Sequence, residues 1–573
     1  MNTQIKTQTI GDFFIRRLHE AGIGHIFGVP GDFTLQFLQQ LADRGEPEWV
    51  GCCNELNASY AADGYARIHG LSALSVTFGV GALSAINGIA GAYSEHVPLI
   101  CICGSLPQRA IERRTMMHHT LGDGWRNPFL RAFQQVTVAQ AQITPQNAVE
   151  EIDRMIVTAW RVKRPVYVEL PSDISYLEIN TPEAPLQLKE PESDAERLSS
   201  CVQAIVQQLA TARYPAILLD MDAERFRVLD EVKKLAEKKS IPVVTLGHLK
   251  GCFSEQHPLF AGTYKGDASN AFTRKIVEES DCLITVGYRR IDATSGFFTD
   301  RLPKNAIQLE AYTAEIDNDH YEAITLRDVL VGTTALIDPV TSITSYNNTI
   351  SLKAPAFTPA NTALKQSEFW ILMQDFIRPD DLIIAEIGTA AAGGGSLHLP
   401  DGCTYITQSV WGSVGYTLGA LLGTLKAAPH RRQILLIGDG SFQLTAQELS
   451  TILRQNLKPV IFLINNGGYT IERTILGLHE TYNDVANWNY ADLPKVFSRK
   501  PVATHVASTA EALHKIMQEM GDEFTFIEVV MAQDDASAGF IKAGHACAEL
   551  DYGPRGPQSR ANIRIPIPDA DAH

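Results

Sequence analysis

Apolar and amphipathic segments alternate along the first third of the chain. The apolar segments are short and rich in Val, Ile and Leu, which predicts strands that are buried on both faces. Such strands are predicted at residues 25–29, 49–53, 73–77, 99–103 and 166–169. The segments between them have the apolar spacing of helices, so this part of the chain predicts a parallel sheet covered by helices on both sides.

The same alternation returns in two further blocks. The second block has predicted strands at residues 216–219, 242–246 and 282–286, and the third has them at 382–387, 434–437 and 459–464. No repeat of fixed period connects the blocks, so a solenoid is not expected.

Pro-rich passages separate the three blocks. Residues 180–194 and 345–362 lack periodic apolar positions and predict linkers. We therefore expect three doubly wound α/β domains with mainly parallel sheets. Their predicted bounds are 1–180, 195–342 and 363–545, followed by a polar, Pro-rich tail at 546–573.

One strand–helix–strand unit in the third block carries a carboxylate and an amide at its open ends. Residues 434–437 and 459–464 predict the strands, and residues 443–455 predict the helix. A right-handed crossover makes the two strands parallel. Asp439 and Asn466 are therefore expected at the same edge of the sheet, where open α/β folds bind ligands.

The residues at this edge suit a divalent cation and a phosphate. Carboxylate and amide oxygens are hard donors suited to Mg²⁺, whose octahedral shell is commonly completed by phosphate oxygens and water. Gly438 and Gly440 let the backbone approach a phosphate at the start of the helix. Taken alone, however, a Gly-Asp-Gly turn is equally an ordinary tight turn between a strand and a helix.

Composition and charge exclude several classes of protein. The 573 residues are 45 % hydrophobic and carry a formal net charge of −16, without a dense run of Lys and Arg. Such a chain is a poor candidate for binding nucleic acid or an anionic membrane. The N-terminus lacks a basic region followed by an apolar core, and the most apolar run, residues 71–93, is broken by four glycines. We therefore expect a cytoplasmic protein without a membrane span.

The cysteines fit a reducing compartment. There are nine of them, an odd number, scattered along the chain. Cys52–Cys53 and Cys101–Cys103 are alternatively read as zinc ligands. Both pairs lie in apolar, strand-like runs with no second pair to complete a zinc site, so small buried hydrophobes are the preferred interpretation.

Polar side chains follow two neighbouring strands of the first block. Asp32 and Glu55 each come directly after a predicted strand, so both carboxylates are expected at one rim of the sheet. Their ordinary interpretations are a helix N-cap for Asp32 and a first-turn acid for Glu55. Glu55 begins a helix of small residues that lets another surface approach closely, as at a subunit contact. His118 and His119, taken alone, are two exposed loop histidines that face different ways.

Seven strings occur in an order that points to one family: GVPGD, NELNASYAADGYAR, SEHVPLI, HHTLGDG, QSVWGSVGYTLGA, GDGSFQLTAQE and NNGGYTIER. Together they resemble the thiamine diphosphate-dependent 2-oxo acid decarboxylases, over nearly the whole chain. The last two strings are similar to the motif that anchors the cofactor diphosphate. The resemblance implies that the first domain binds the aminopyrimidine and the third binds the diphosphate and Mg²⁺. It also implies active sites between subunits, in a homodimer or homotetramer.

The resemblance assigns cofactor contacts residue by residue. It implies Asp439, Asn466 and the backbone carbonyl of Gly468 as Mg²⁺ ligands. Glu55 matches the carboxyl that shares a proton with the aminopyrimidine, and Val414 the apolar wedge that bends the cofactor. The remaining matched cofactor contacts are Thr389, Gly412, Gly440 and Ser441.

The resemblance also implies a reaction and the residues around it. A 2-oxo acid loses CO₂ and leaves as an aldehyde, with the cofactor as electron sink. His118 and His119 match the pair that handles protons, which suits imidazole because its pKa lies near the operating pH. Asp32 and Glu472 match the carboxylates near the substrate.

A run of small residues predicts a roomy substrate pocket. The segment GTAAAGGGS follows the strand at 382–387, with Ala391 and Ala392 where relatives carry Trp or Phe. We expect an apolar wall from Ile387, Ile471 and Ile475, and a preference for aromatic, branched or medium-chain acids. Each buried methylene contributes up to roughly 0.8 kcal/mol. The alternative for the segment is a tightly packed turn, and the alternative for the substrate is pyruvate, as in a pyruvate decarboxylase.

Three other functions compete with decarboxylation. A carboligase of the acetohydroxyacid synthase type shares the cofactor motif, but is expected to bind FAD and to lack the His pair. A non-catalytic relative is expected to have lost the acids that are present here. A nicotinamide dehydrogenase is suggested by GVGALS at residues 79–84, which lacks the third glycine of its motif.

Overall fold

The computed structural model describes residues 5–124, 127–347 and 353–568. Three sheets of six or seven strands lie in it together with one two-stranded pair, and two of the three large sheets are wholly parallel. This confirms the prediction of three α/β domains with mainly parallel sheets. The described residues group into two compact units, one from 1–190, 411–430 and 445–457, and the other from 191–410, 431–444 and 458–573.

The first unit contains a six-stranded parallel sheet in the order β3-β2-β4-β5-β7-β6, and a two-stranded antiparallel pair, β1 and β8. The strands are β1 (Ile5–Thr9), β2 (His25–Gly28), β3 (Glu48–Gly51), β4 (Ser72–Thr77), β5 (Leu99–Ser105), β6 (Ala139–Gln142), β7 (Val166–Pro171) and β8 (Glu178–Pro182). The helices are α1 (Ile10–Glu20), α2 (Leu35–Arg44), α3 (Glu55–His69), α4 (Val80–Ser94), α5 (Gln108–Arg113), α6 (Pro128–Phe133) and α7 (Ala148–Val162), with a 3₁₀ turn at Asp32–Thr34.

The five strands predicted here are confirmed as β2, β3, β4, β5 and β7. Of these, β4, β5 and β7 are buried along their whole length. The short strand β6 and the pair β1 and β8 were not predicted. The prediction of a linker from residue 180 was wrong at its start, because β8 continues to Pro182 through its pairing with β1.

The middle sheet lies in the second unit, in the order β11-β10-β9-β12-β13-β14-β15. It is parallel from β11 to β13 and antiparallel from β13 to β15. The strands are β9 (Pro215–Leu219), β10 (Val243–Leu246), β11 (Phe260–Tyr264), β12 (Cys282–Val286), β13 (Ile307–Leu309), β14 (Thr313–Ile316) and β15 (Asp319–Glu322). The helices are α8 (Ala195–Thr211), α9 (Asp222–Arg225), α10 (Leu229–Lys239), α11 (Ala271–Glu278), α12 (Asp292–Ser295) and α13 (Leu326–Leu336), with a 3₁₀ turn at Gly247–Leu249.

The third sheet, also in the second unit, is wholly parallel in the order β17-β16-β18-β19-β21-β20. Its strands are β16 (Leu382–Ala385), β17 (Thr404–Ile406), β18 (Gln433–Gly438), β19 (Val460–Asn465), β20 (Ala503–Ala507) and β21 (Thr525–Val530). The helices in this stretch of the chain are α14 (Gln366–Phe376), α15 (Thr389–Gly394), α16 (Tyr416–Ala427), α17 (Asp439–Thr445), α18 (Leu449–Arg454), α19 (Thr470–Ile475), α20 (Leu493–Phe497), α21 (Ala510–Glu519) and α22 (Ala538–Tyr552). Further 3₁₀ turns lie at Ala446–Glu448, Thr481–Asn483, Tyr490–Asp492 and Pro557–Ser559.

The helix predicted at residues 443–455 is two helices. It begins four residues earlier, at Asp439, and a 3₁₀ turn at Ala446–Glu448 separates α17 from α18. The break lies at Thr445, whose φ of −135° is not helical and whose hydroxyl donates to the carbonyl of Gly415. Apolar spacing cannot show this break, because it depends on a contact between residues 30 positions apart in the chain.

The first and third sheets share one strand order. If the strands of each six-stranded sheet are numbered along the chain, both sheets run 2-1-3-4-6-5. In each, the chain reverses direction across the sheet between its first and third strands, which are β2 and β4 in one sheet and β16 and β18 in the other. Open α/β folds bind ligands at the carboxyl ends of strands beside such a reversal.

Helices α3 and α16 pack at close range within the first unit. A Cβ at Gly64 would overlap the backbone of Ala420, and a Cβ at Gly423 would overlap the carbonyl of Ala61. The prediction that the small residues of α3 let another surface approach closely is therefore confirmed. On the face that contains Gly64, that surface is a helix of the same chain and not another subunit.

The C-terminal residues are more ordered than a polar tail. Helix α22 spans the predicted boundary at 545/546 and packs on α19, where Gly544 lies against Thr474. Beyond it, Ile565 donates its N–H to the carbonyl of Arg473 at 2.8 Å and accepts a bond from His545 at 2.7 Å. In the part of the chain that the structure describes, no helix is long and apolar enough to cross a membrane.

Candidate active site

A carboxylate and two imidazoles meet at the carboxyl edge of the first sheet. Asp32 begins the 3₁₀ turn after β2, and Gly31, not Asp32, is the N-cap. The Oδ2 atom of Asp32 lies 2.8 Å from Nε2 of His118, and Oδ1 lies 3.8 Å from Nε2 of His119. The expectation that the two histidines face different ways is wrong, since both turn to Asp32. The Asp32 side chain is 49 % exposed and the His118 side chain 56 %.

Phe33 and Gly79 hold the histidines in this arrangement. The Phe33 ring stacks on His118 with 4.9 Å between centroids and meets His119 edge-on at 6.0 Å. His119 has a φ of +62°, and a Cβ at Gly79 would overlap its carbonyl oxygen. Sequence reasoning missed Phe33, although it follows Asp32 directly.

Glu55 is the first residue of α3, as the first-turn interpretation predicted. Asn54 caps the helix by accepting the N–H of Asn57 at 2.8 Å. The Glu55 carboxyl is half-buried beside Gly81, where an added Cβ would lie 3.0 Å from Oε1. Among the described residues, this carboxyl has no hydrogen-bond or ion-pair partner, so it is free to bond a ligand.

The turn before α16 contains Gly412 and Val414. Gly412 has a φ of +63° and Gly415 a φ of +92°, so glycine suits both positions. Val414 is half-buried between them. These residues belong to the first unit, although they lie within the predicted third domain.

Glu448 is a buried acid that sequence reasoning missed. It follows α17 in the 3₁₀ turn, is fully buried, and accepts the N–H of Cys53 at 3.1 Å. Burial raises the pKa of Glu448. The carboxylate therefore fixes the backbone two residues before Glu55.

Asp439 is a buried carboxylate held by backbone N–H groups in the second unit. Its Oδ1 accepts from Gly440 at 2.7 Å, and its Oδ2 accepts from Gly467 at 2.7 Å and from Gly468 at 3.2 Å. The residue is 1 % exposed. Burial raises its pKa to about 6, and the backbone N–H donors oppose this rise.

The strand end beside Asp439 brings further oxygen donors. Asn466 donates its amide N–H to Thr470 at 2.8 Å, which leaves its amide oxygen as an acceptor. Gly468 has a φ of +139° and packs against the carbonyl of Asn483, so no other residue fits there. Behind it, the fully buried Arg473 pairs with Asp484 at 2.5 Å. Sequence reasoning missed this ion pair.

These donors fit a hard divalent cation. Of the residues that the structure describes, no Lys, Arg or His forms an ion pair with Asp439, so its buried charge has no protein counterion. A carboxylate, an amide oxygen and backbone carbonyls form the donor set that Mg²⁺ prefers. An added Cβ at Gly438 would meet nothing within 4 Å, which leaves room beside the carboxylate. Gly440 is needed for another reason, because its Cβ would lie 2.6 Å from the Tyr469 ring.

Two more residues matched to the cofactor begin the helices at this edge. Thr389 is the first residue of α15, after Gly388 with a φ of +110°. Ser441 is buried in the first turn of α17.

Glu472 lies in the first turn of α19, exposed between two half-buried isoleucines, Ile471 and Ile475. Desolvation of the carboxyl by the surrounding protein, and then the charge of Asp551 on α22, raise the pKa of Glu472. The carboxyl therefore keeps its proton to a higher pH than an ordinary glutamate.

The small-residue segment after β16 is a helix and not an open turn. In α15, Ala391 is half-buried against the core of the third sheet, and Gly393 packs on Trp370. Ala392 and Ile387 are exposed. A larger side chain at Ala391 therefore has to displace core residues, whereas one at Ala392 does not.

The predicted site residues thus form two sets, one in each unit. The first unit holds Asp32, Glu55, His118, His119, Gly412 and Val414. The second unit holds Ile387, Thr389, Ala391, Ala392, Asp439, Gly440, Ser441, Asn466, Gly468, Ile471, Glu472 and Ile475.

Comparison with known families finds a match to three domains of one class of enzyme. Residues 8–126 match the N-terminal TPP binding domain of thiamine pyrophosphate enzymes, residues 202–330 match their central domain, and residues 387–529 match their C-terminal TPP binding domain. The fold and site therefore define a thiamine diphosphate enzyme.

Curated relatives narrow the class. The chain is 37 % identical over 558 residues to pyruvate decarboxylase isozyme 2 of Saccharomyces cerevisiae, covering 94 % of this chain and 98 % of the relative. It is 37 % identical over 541 residues to the alpha-keto-acid decarboxylase of Mycobacterium leprae, covering 92 % and 93 %. Pyruvate decarboxylase of Aspergillus fumigatus is also 37 % identical, over 559 residues, covering 95 % and 97 %. The chain belongs to the thiamine diphosphate-dependent 2-oxo acid decarboxylase family.

Proposed function

We propose that this chain converts 2-oxo acids to aldehydes and CO₂ without net oxidation, using thiamine diphosphate and Mg²⁺. The observation that carries the proposal is the cluster of Asp32, His118 and His119 at the ligand-binding edge of the first sheet. Decarboxylation leaves a carbon that must be protonated, and imidazoles beside a carboxylate suit that step.

The second unit is proposed to hold the metal and the diphosphate. Asp439, Asn466 and the Gly468 carbonyl would hold Mg²⁺, which supplies the counterion that the buried carboxylate lacks within the described chain. Contacts from Thr389, Gly440 and Ser441 would complete the diphosphate site.

The first unit is proposed to hold the aminopyrimidine. Thiamine diphosphate, when bound, supplies the nucleophilic carbon and the electron sink for loss of CO₂. The Glu55 carboxyl, which has no partner among the described residues, would share a proton with the ring nitrogen. Gly412 would offer its carbonyl, and Val414 would enforce the bent conformation. Glu472, whose pKa is raised, would hold a proton near the substrate carboxylate.

The proposed assembly is a homodimer or homotetramer with active sites between subunits. Val80 and Leu83, one turn apart on the exposed face of α4, leave 55 % and 41 % of their surface in solvent. Met116 and Leu121, either side of the histidines, are 69 % and 61 % exposed. Large exposed apolar side chains of this kind mark interaction surfaces. Light scattering that gives a monomer for the cofactor-loaded protein would contradict the assembly.

The proposed substrates are larger 2-oxo acids: aromatic, branched or medium-chain. Ala392 and Ile387 are exposed on and before α15, and no bulky side chain stands at Ala392. The test compares kcat/KM for pyruvate, 3-methyl-2-oxobutanoate and phenylpyruvate, with aldehyde and CO₂ both measured. A preference for pyruvate would contradict the size proposal, and acetohydroxy acid in place of aldehyde would favour the carboligase.

Ala392→Phe sharpens the size test. It should lower kcat/KM for phenylpyruvate at least tenfold more than for pyruvate, as expected when a filled pocket discriminates by roughly 1–3 kcal/mol. The matched control is Ala335→Phe, also at an exposed alanine on a helix, α13. Equal losses for both substrates in Ala392→Phe would show that this residue does not line the pocket.

A further inference from the structure

A chain of hydrogen bonds fastens the Trp411–Val414 turn to two helices of the first unit. The Tyr60 hydroxyl and the Ser413 Oγ lie 2.5 Å apart. Asn87 donates its amide N–H to Tyr60 at 3.2 Å and to Ser413 at 3.3 Å. Trp411 donates its indole N–H to the Asn87 amide oxygen at 2.8 Å. We call these four side chains, Tyr60, Asn87, Trp411 and Ser413, the turn anchor.

The turn anchor holds the residues on both sides of Gly412. Trp411 is bonded to α4 through Asn87, and Ser413 is bonded to α3 through Tyr60. Gly412 itself has a φ of +63°, a region that glycine enters and leaves freely. The conformation of this glycine therefore depends on its two fastened neighbours.

Other contacts already hold the helix that follows. Tyr416 donates its hydroxyl to Asp63 at 2.5 Å, and Asp63 accepts from Arg67 at 2.6 Å. Together with the glycine contacts of α3 and α16, these bonds fix α16 without the turn anchor. The bonds of Ser413 and Trp411 are additional to this packing, and they reach the turn that precedes α16.

We infer that Tyr60 and Asn87 are positioning residues, which hold the Gly412 carbonyl and the Val414 side chain in the geometry that the bound cofactor requires. This inference rests on the proposed function, in which Gly412 and Val414 contact the aminopyrimidine. Neither Tyr60 nor Asn87 needs to touch the cofactor. Tyr60 stands five residues after Glu55 on α3, so one helix carries both the proposed proton-sharing acid and the support of the turn.

The first test needs no cofactor. Hydrogen–deuterium exchange of the peptide at residues 409–415 is measured in the apoprotein by mass spectrometry. Tyr60→Phe and Asn87→Ala should each speed exchange there by roughly two- to tenfold, the effect of losing one or two hydrogen bonds. Asn87 is exposed, so its replacement leaves the fold intact even if Tyr60→Phe does not.

Tyr65→Phe is the matched control. It makes the same substitution on the same helix and removes a hydroxyl that accepts the N–H of Gly24 at 3.2 Å, away from the turn. Exchange at residues 409–415 should stay at the wild-type rate. Unchanged exchange in both Tyr60→Phe and Asn87→Ala, or equal acceleration in Tyr65→Phe, would overturn the inference.

The second test uses the cofactor-loaded protein. At saturating thiamine diphosphate, Tyr60→Phe and Asn87→Ala should slow the exchange of the cofactor C2 proton. Both variants should also lower kcat by roughly three- to 100-fold with KM little changed, because small displacements of groups in a preorganised site are costly. A looser turn with wild-type C2 exchange would overturn the inference and leave the proposed function standing. If the wild-type protein fails to bind thiamine diphosphate, the proposed function is refuted. The exchange measurement on the apoprotein would still decide whether the turn anchor holds the turn.

Discussion

The proposed role of Asp439 in holding the metal makes cofactor binding depend on pH. Its carboxyl has a pKa raised from 3.8 to about 6 by burial, which corresponds to about 3 kcal/mol against the ionised form in the apoprotein. The direction of the pH effect on folding stability follows from the linkage between folding and proton binding. Because the folded state holds this proton more tightly than the unfolded chain, the apoprotein loses up to about 3 kcal/mol of stability as pH rises from about 4 to about 6, and nothing further above that.

A bound cation requires the ionised carboxylate, so binding must displace the proton below about pH 6. For a pKa of about 6, the apparent affinity for Mg²⁺ and thiamine diphosphate should fall about tenfold between pH 7 and pH 5. The diphosphate also takes up a proton in this range, since phosphate groups have a pKa near 6. The pH dependence of the wild-type affinity can therefore be interpreted only by comparison with a variant that lacks the carboxylate.

Asp439→Asn supplies that baseline. The amide removes the anionic donor of the proposed metal site and keeps the shape of the side chain. We therefore expect affinity for the cofactor to fall roughly 100-fold or more at pH 7.5. The assay is calorimetric titration of the apoprotein from pH 5 to pH 8 at saturating Mg²⁺. The control, Asp492→Asn, removes an exposed carboxylate that pairs with Lys495 at 3.0 Å and should bind as wild type does. Wild-type affinity in Asp439→Asn, or the same pH slope in both proteins, would refute the reasoning.

Three further changes test other parts of the site and fold. Glu55→Gln should keep the cofactor but slow exchange of its C2 proton, because an amide cannot share a proton as the acid does; an unchanged rate contradicts the assignment. His118→Ala should lower kcat by about 10²–10⁴-fold with cofactor affinity kept, and normal turnover would make the histidine a surface residue. Gly423→Ala should lower the melting temperature by several degrees, since its Cβ would overlap the Ala61 carbonyl; Gly521→Ala, where a Cβ meets nothing within 4 Å, should not.

The sheets and the residues at their carboxyl edges were predictable because both follow from local rules. Fully buried parallel strands such as β5 and β19 read as nearly continuous apolar runs. Right-handed crossovers then place the residues after each strand at one edge, which brought Asp439 to the strand end that carries Asn466. These arguments need only neighbours along the chain.

The pairing of α3 with α16 was not predictable by the same means. Small residues in α3 indicate that something approaches closely, but periodicity cannot name the partner, and it suggested another subunit. The hydrogen bonds between Tyr60, Asn87 and Ser413 were equally unpredictable, because the sequence does not indicate which partner a hydroxyl or amide group will bond. The break after α17 depends on Thr445 reaching Gly415, which is again a contact between distant parts of the chain.

The two sheets of equal strand order place acids of opposite character at their ligand-binding edges. Asp32 leaves about half of its side chain in solvent and shares its oxygens with two imidazoles. Asp439 is 1 % exposed. In the described chain its carboxylate accepts hydrogen bonds only from backbone N–H groups and forms no ion pair. A group that passes protons must reach a proton source, whereas a carboxylate that binds a cation holds it better with water excluded. The shared topology therefore explains where both acids lie, and their different burial explains why one is suited to proton transfer and the other to a metal.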